Sequence, residues 1–295
     1  MSFISKAFTL EITKRVEVSP HLQLVKFEDP ISYIIDDGSS KAVRTVKPFA
    51  INSFETTYGL WKDCIDQSKE LGYHFENLGR GGTHGRNGED IDKYNVYQPV
   101  TNITWYDAVV WCNAYSELQG REPCYTYEGV ILRNSGEKEK LNNCECDFNK
   151  NGFRLPTEAE WEYASRICDN GLQWPDLVSG QLNEDLIDTD YAWIYKNATT
   201  THVVGTAGSK TGKKGTGNTN GAGLYDMSGN VMEVCWDWYG PYEKDMPYGP
   251  KEGTEKVTRG GSWSPHNMQF KAADRNNVNP NIVFPFAGFR ICTCI

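Results

Sequence analysis

Every convincing helical period in this 295-residue chain falls before residue 170, and that asymmetry limits the folds open to it. In NITWYDAVVWCNAYSELQ, Thr104 is a good N-cap and Asp107 lies in the first turn, where the helix dipole favours an acid. Trp105, Ala108, Val109, Cys112 and Tyr115 then recur on one face. In RLPTEAEWEYASRIC, Thr157 and Glu160 form a capping box ahead of an apolar stripe of Trp161, Ala164 and Cys168. An earlier helix starts at Thr56 or Thr57 and buries Leu60, Trp61, Cys64 and Ile65. Residues 1–46 carry strand-like runs instead, AFTLEITKRVEV, HLQLVKFE and ISYII, parted by Ser-Pro and DDGSS turns. Past residue 170, Gly and Asn punctuate short aromatic runs, and YAWIY and VMEVCWDWY read as strands. Helices early and an irregular, β-rich second half describe an α+β chain.

Composition narrows the function. Trp (9), Tyr (16) and Gly (28) are abundant, which suits a loop-rich fold stitched by aromatic packing. The 30 basic residues stand against 39 acidic ones, a net charge of −9 that argues against nucleic-acid binding. No run of eighteen apolar residues is present, so no transmembrane helix is expected. The nine cysteines do not follow a small disulfide scaffold. Cys64, Cys112, Cys168 and Cys235 sit in apolar segments and read as small hydrophobes, while Cys144/Cys146 and Cys292/Cys294 lack zinc-ligand spacing. The loop GRGGTHGRNG (79–88) offers bare amides with Arg80 and Arg86 to an anion, but without a GK[ST] ending it reads as a mobile surface loop. GTAGSKTGKKGTGNTNGAG (205–223) reads as a flexible connection.

One stretch resists any local structural reading. Between the orderly ends RGGSW (259–263) and GFR (288–290), Asn267, Asn276, Asn277, Asn279 and Asn281 crowd among Met268, Phe270, Phe284 and Phe286. Asparagine competes for backbone hydrogen bonds, and these apolar groups have no period that would bury them as one face. An irregular loop held between two fixed anchors is a usual place for a contact surface. The alternative is an ordinary connection whose aromatics belong to the core.

The order of motifs carries a resemblance. KPFAINSFETTYGLWKDC, QPVTNITWYDAVVWCNAYS, NGFRLPTEAEWEYASR, NGAGLYDMSGNVMEVCWDWYG, RGGSW and GFRIC, taken together, resemble the formylglycine-generating-enzyme (sulfatase-modifying factor) family from about residue 47 to 295. The resemblance implies a C-type lectin-like fold with little regular secondary structure, with residues 1–46 as a strand-rich N-terminal extension. Oxidase members carry two cysteines shortly after GGS[YW]; Pro265 and Phe270 take those places here and supply no thiolate. The sulfoxide synthases add a His-rich iron domain, whereas the histidines here are only 21, 74, 84, 202 and 266, without a ligand cluster.

A third branch is similar in more detail: the variable proteins of diversity-generating retroelements, in which inaccurate copying at adenines turns Asn codons into others. Their frame reads here as GGSW (260–263), Ala273-Asp274-Arg275, NNVNP (276–280) and GFR (288–290). The resemblance implies a non-enzymatic ligand-binding receptor with a variable segment at 264–287. Ser264, Pro265, His266, Gln269, Phe270, Val278, Ile282, Val283, Phe284 and Phe286 are then substituted positions, and Met268, Asp274, Asn276, Asn277, Asn279 and Asn281 complete the ligand face. Phe270, Phe284, Phe286 and His266 are the expected contact groups, with Phe286 equally a core residue by its closeness to GFR. Gly260, Gly261, Gly288 and Phe289 anchor the ends, with Trp238 and Trp263 beneath. The alternative is a divergent enzyme of the same family at the same cleft, for which Cys235 and His266 are the reactive candidates.

No cofactor for catalysis is expected. The resemblance does imply a structural calcium or magnesium ion at Asp226, the carbonyls of Gly229 and Val231, and Glu233. It implies an unidentified macromolecular ligand, a protein by preference, bound by a monomer without nucleic acid. It also implies display at a bacterial cell surface as a lipoprotein whose leader is absent from this chain; the literal alternative is cytoplasmic.

Overall fold

A computed structural model describes residues 16–36, 40–184, 187–243 and 248–295. Residues 7–15 of the first expected strand, and the centre of the DDGSS turn, lie outside the described residues. The fold is mixed α and β, built on two sheets. In the first, β1 (Val16–Ser19), β2 (Leu22–Phe27) and β5 (Phe49–Asn52) continue into the strands Cys292–Cys294 and Phe153–Arg154, all antiparallel. In the second, the order is Arg275–Val278, Lys256–Arg259, Met232–Trp238, Ala287–Gly288, and only the last pairing is parallel.

The residues expected as an extension are built into the domain. β2 runs against β5 from Leu24 opposite Asn52 to Phe27 opposite Phe49, so it occupies one edge of a strand whose other edge holds the C-terminus. β3 (Ile31–Asp36) and β4 (Lys41–Val46) form a hairpin with alternating burial, and Tyr33 from its inner face donates to the Ala159 carbonyl at 2.7 Å.

All three expected helices form, each with its cap, but the third ends at Ser165, and Cys168, expected on its apolar stripe, lies in the short strand Ile167–Cys168. α1 (Tyr58–Ser68) starts at Thr57, whose hydroxyl accepts from the Leu60 amide. α2 (Trp105–Leu118) and α4 (Glu158–Ser165) both carry full capping boxes, Thr104 with Asp107 and Thr157 with Glu160. A short α3 (Lys138–Asn142) was not foreseen; it buries only Leu141, too little for a periodic signal. Among the described residues no helix is long and apolar enough to cross a membrane.

Aromatic packing joins the layers. Trp61 stacks on Trp111 with ring centroids 5.9 Å apart, and Phe289 meets both edge-on at 5.9 and 5.4 Å. Phe289 is fully buried, so the GFR end of the 264–287 segment is fastened to α1 and α2.

Two expectations fail for identifiable reasons. YAWIY is not a strand: it follows a 3-10 turn at Asp188–Asp190, and Asn197 closes the loop by accepting from the Ile194 amide and donating to the Ala192 carbonyl. Ala192 and Ile194 do alternate with their neighbours in burial, but Trp193 makes only an isolated bridge to Gly229. The 205–223 stretch is not a loose connection either. Asn220 is buried and donates to the Ala164 carbonyl at 2.8 Å, while the Gly217 amide returns to the Gly205 carbonyl.

Candidate ligand-binding surface

Two arginines and two glutamates of α4 fix the backbone of the segment. Arg259, fully buried in the strand before GGSW, donates Nη1 to the carbonyls of Ala273 (2.7 Å) and Asp274 (2.6 Å) and Nη2 to Glu162. Arg275 pairs bidentately with Glu158, Nε to Oε1 at 2.7 Å and Nη2 to Oε2 at 3.0 Å, and Nη1 reaches the Gly240 carbonyl. Its guanidinium also lies over the rings of Tyr239 and Tyr242. The Ala-x-Arg step is therefore a clamp on both ends of one turn of chain. Planar, bidentate pairing of this kind is specific in geometry as well as strong.

The turn into the segment needs glycine. Gly260 and Gly261 have φ of +85° and +66°, in the left-handed region. A Cβ on Gly261 would sit 2.4 Å from the Gln269 carbonyl oxygen, because the loop crosses back over it. At the far end, a Cβ on Gly288 would lie 2.6 Å from the Val100 carbonyl oxygen. Arg290 is buried and binds Glu233, the Asn52 carbonyl and the Tyr225 carbonyl.

Between these anchors the expected site residues divide by burial. Pro265, His266, Met268, Gln269, Asn279, Asn281, Ile282 and Val283 are exposed. Asp274, Asn276, Asn277, Phe284 and Phe286 are half-buried. Ser264, Phe270 and Val278 are buried, which removes them from the ligand face. Phe270, expected as a contact aromatic, instead fills a small core with Val178, Ala192 and Ile194, since loop 175–178 folds beside it and accepts the amides of Ala272 and Ala273. Phe284 and Phe286 stack on each other at 4.9 Å and lean on the main core, so they are partly structural. The NNV of NNVNP is a strand, not irregular chain: Asn276, Asn277 and Val278 pair with Thr258, Val257 and Lys256. Asn279 then folds the tip, accepting the Asn281 amide on its side chain and the Ile282 amide on its carbonyl. Trp238 packs on Trp105 rather than directly under the loop, and Trp263 donates its amide to the Asn230 carbonyl.

A cleft of about 610 Å³ opens along the first exposed run, lined by Gln269, Asp274 and Arg275 of the segment together with Asp36, Asp176 and Tyr239. That size suits a side chain or a small ligand. Helical periodicity does not reveal the clamp that shapes it; two Glu one turn apart, with Arg259 and Arg275 downstream, are the one sequence signal of it.

The expected cation set does not fit as a set. Both Glu233 oxygens accept from Arg290, and Oε2 also accepts from Trp161 Nε1 at 2.8 Å, so its lone pairs are spent. Asp226 alone keeps a buried oxygen, Oδ1, without a partner, and burial lifts its carboxyl to about 6 against the pull of the Gly205 amide and Arg290. Among the described residues no three His, Cys, Asp or Glu side chains could hold a metal together.

Among the described residues neither enzymatic candidate has an activating partner. Cys235 is fully buried, and burial pushes its thiol well up. His266 is exposed, and its backbone amide, not its ring, donates to the Ser264 hydroxyl at 3.3 Å.

Comparisons with known proteins agree with this architecture. The chaperone protein LppX of Paenibacillus barcinonensis is 30% identical over 258 residues, covering 84% of this chain and 80% of that one. The mouse formylglycine-generating enzyme is 27% identical over 307 residues, covering 95% and 75%. A match to the serine/threonine-protein kinase pkn1 of Chlamydia pneumoniae, 34% identical, spans 47% of this chain but only 20% of that protein. Among solved structures, Treponema denticola variable protein 1 superposes with a TM-score of 0.72 at 26% identity, covering 96% of this chain and 99% of that one. CarF superposes with a TM-score of 0.71 at 23% identity, covering 93% and 98%, which speaks for the fold alone. The sulfatase-modifying factor enzyme 1-like domain matches residues 24–295, beginning within β2, and the chain belongs to that family.

Proposed function

We propose that this chain is a non-enzymatic receptor, and that residues 264–287 form a ligand face diversified by a retroelement on a fixed C-type lectin scaffold. The observation that carries this is the division of labour within the segment. Its backbone is clamped by buried Arg259 and Arg290 and by half-buried Arg275, while Pro265, His266, Met268, Gln269, Asn279, Asn281, Ile282 and Val283 extend into solvent. Apart from Asn279, whose side chain closes the tip on the Asn281 amide, side chains can change there without moving the fold, since surface positions away from such clamps are worth about 0.5 kcal/mol or less each. The superposition on a variable protein over nearly the whole chain supports the same reading.

The ligand fits best as a protein. Exposed Met268, Ile282 and Val283 supply apolar contact, and Gln269, Asn279 and Asn281 supply adaptable hydrogen bonds. The proposal includes a monomer displayed on a bacterial surface, which surface labelling of the producing cell tests. A display library randomised at the eight exposed positions tests the receptor itself. Folded clones that acquire affinity for unrelated proteins are expected; a library in which most clones fail to fold would overturn it.

The relatives named as formylglycine-generating enzymes favour a second reading, a divergent enzyme at the same face. It requires a reactive group, and Pro265 and Phe270 stand where those enzymes carry thiols. Incubating the protein with a cysteine-bearing sulfatase peptide and copper separates the two: formation of an aldehyde would establish the enzyme.

A further inference from the structure

Lys256 carries a buried amine that the receptor reading does not use. It lies on the strand behind the segment, opposite Trp238 on one side and Val278 on the other. Its side chain is shut off from bulk water and runs between three indoles, with Nζ 3.5 Å from the ring centroid of Trp238, 3.9 Å from Trp105 and 5.0 Å from Trp236. The Trp236 carbonyl accepts one hydrogen bond at 3.0 Å. An ammonium has three donors to satisfy, and no carboxylate among the described residues forms an ion pair with it. Lys256 also lines a pocket of about 400 Å³ whose other walls include Asn142, Cys144, Tyr248, Pro250 and Trp238.

We propose that Lys256 is the attachment point for a small carbonyl ligand, an aldehyde or ketone, held in this pocket as a reversible imine. The amine lone pair adds to the carbonyl carbon, a proton passes from nitrogen to oxygen, and the carbinolamine loses water to leave a C=N bond. Amine and carbonyl give imine and water, with no change of oxidation state. Desolvated lysines beside apolar walls are suited to this chemistry. Burial pushes the Lys256 ammonium down to about 7, while the charges of Cys144 and Asp237 pull it back up only in part. Lys251 and Glu252 also line the pocket and are its other charged groups. The site is separate from the exposed ligand face and does not depend on the receptor reading.

The test is trapping of the full chain with propanal and sodium cyanoborohydride at pH 7.5, with peptide mass mapping of every lysine. An ordinary surface lysine is neutral there for only about one molecule in a thousand. Lys256 is expected to be modified at least about ten-fold faster than surface lysines, with a rate that rises through pH 7 rather than pH 10. Lys256→Arg keeps the stacked cation and removes the nucleophile, so it should abolish that fast phase while the thermal melt stays cooperative. Label on Lys251 in place of Lys256, a rate no faster than the surface average, or a profile rising near pH 10 would each overturn the proposal. Should the arginine variant fail to fold, the wild-type map and pH profile decide the matter alone.

Discussion

Replacing Arg275 with leucine removes the charge that holds the centre of the 264–287 segment. The guanidinium and the Glu158 carboxylate it faces are only 5% and 3% exposed, so the glutamate would be left buried. Breaking such a pair costs about 3–5 kcal/mol. Glu158 would keep the Tyr242 hydroxyl at 2.8 Å and Arg259 at 3.7 Å, which places the loss near the lower end, about 3 kcal/mol. Loss of the Gly240 hydrogen bond and of the stacking on two tyrosines adds roughly 1 kcal/mol. Urea unfolding read by tryptophan fluorescence gives the difference directly. The double variant Glu158→Gln/Arg275→Leu should recover about 1–2 kcal/mol, because the uncompensated charge is gone. In the same assay, changing His266, Met268, Gln269, Ile282 and Val283 together to serine should move stability by no more than about 2.5 kcal/mol, as five exposed positions. A loss below about 1 kcal/mol for Arg275→Leu, or unfolding of the five-site variant, would refute the idea of a clamped backbone beneath free side chains.

Gly261→Ala forces a side chain into left-handed backbone with its Cβ against the Gln269 carbonyl, so it should cost more than the roughly 1–2 kcal/mol of that conformation alone and lower the melting temperature clearly. Asp237 is buried, and burial together with the Glu158 charge lifts its carboxyl from 3.8 to about 7. The folded state therefore holds a proton that the unfolded chain releases near pH 4, so this contribution is full below that pH and fades as pH rises to 7. Relative to wild type, Asp237→Asn should gain stability steadily between pH 4 and 7 in urea titrations, and a difference independent of pH would contradict the assignment. Because Glu233 is spent on Arg290 and Trp161, millimolar calcium or EDTA should leave the melting temperature unchanged; stabilisation by calcium that Asp226→Asn abolishes would show an ion where this geometry does not fit one.

Much of the fold was legible because its signals are local. Thr104 with Asp107 and Thr157 with Glu160 announce helices within four residues, and the aromatic stripes behind them predict the buried faces. The frame of GGSW, Ala-x-Arg and GFR marked the segment, and the glycines of GGSW do take the left-handed backbone that such an anchor needs. What was not legible depends on distant partners. Phe270 looks like an exposed aromatic until loop 175–178 is folded beside it, nearly a hundred residues away in sequence. YAWIY has a strand's alternation, yet Asn197 offers its backbone a competing partner. Asn276 and Asn277 read as irregular from their residue type, but the edge of the Lys256–Arg259 strand was open to pair with them. Glu158 and Glu162 gave no hint that their counter-charges lie about a hundred residues downstream.

The central claim is that the segment varies while its clamp does not, and deep sequencing of the gene and its flanking DNA across a clonal population tests it most directly. The account predicts substitutions concentrated at 265, 266, 268, 269, 279 and 281–283, at adenines of a nearby template copy beside a reverse transcriptase gene, with Arg259, Gly261, Arg275 and Arg290 constant. An invariant segment with no template nearby, or changes spread evenly over the clamp residues, would contradict it.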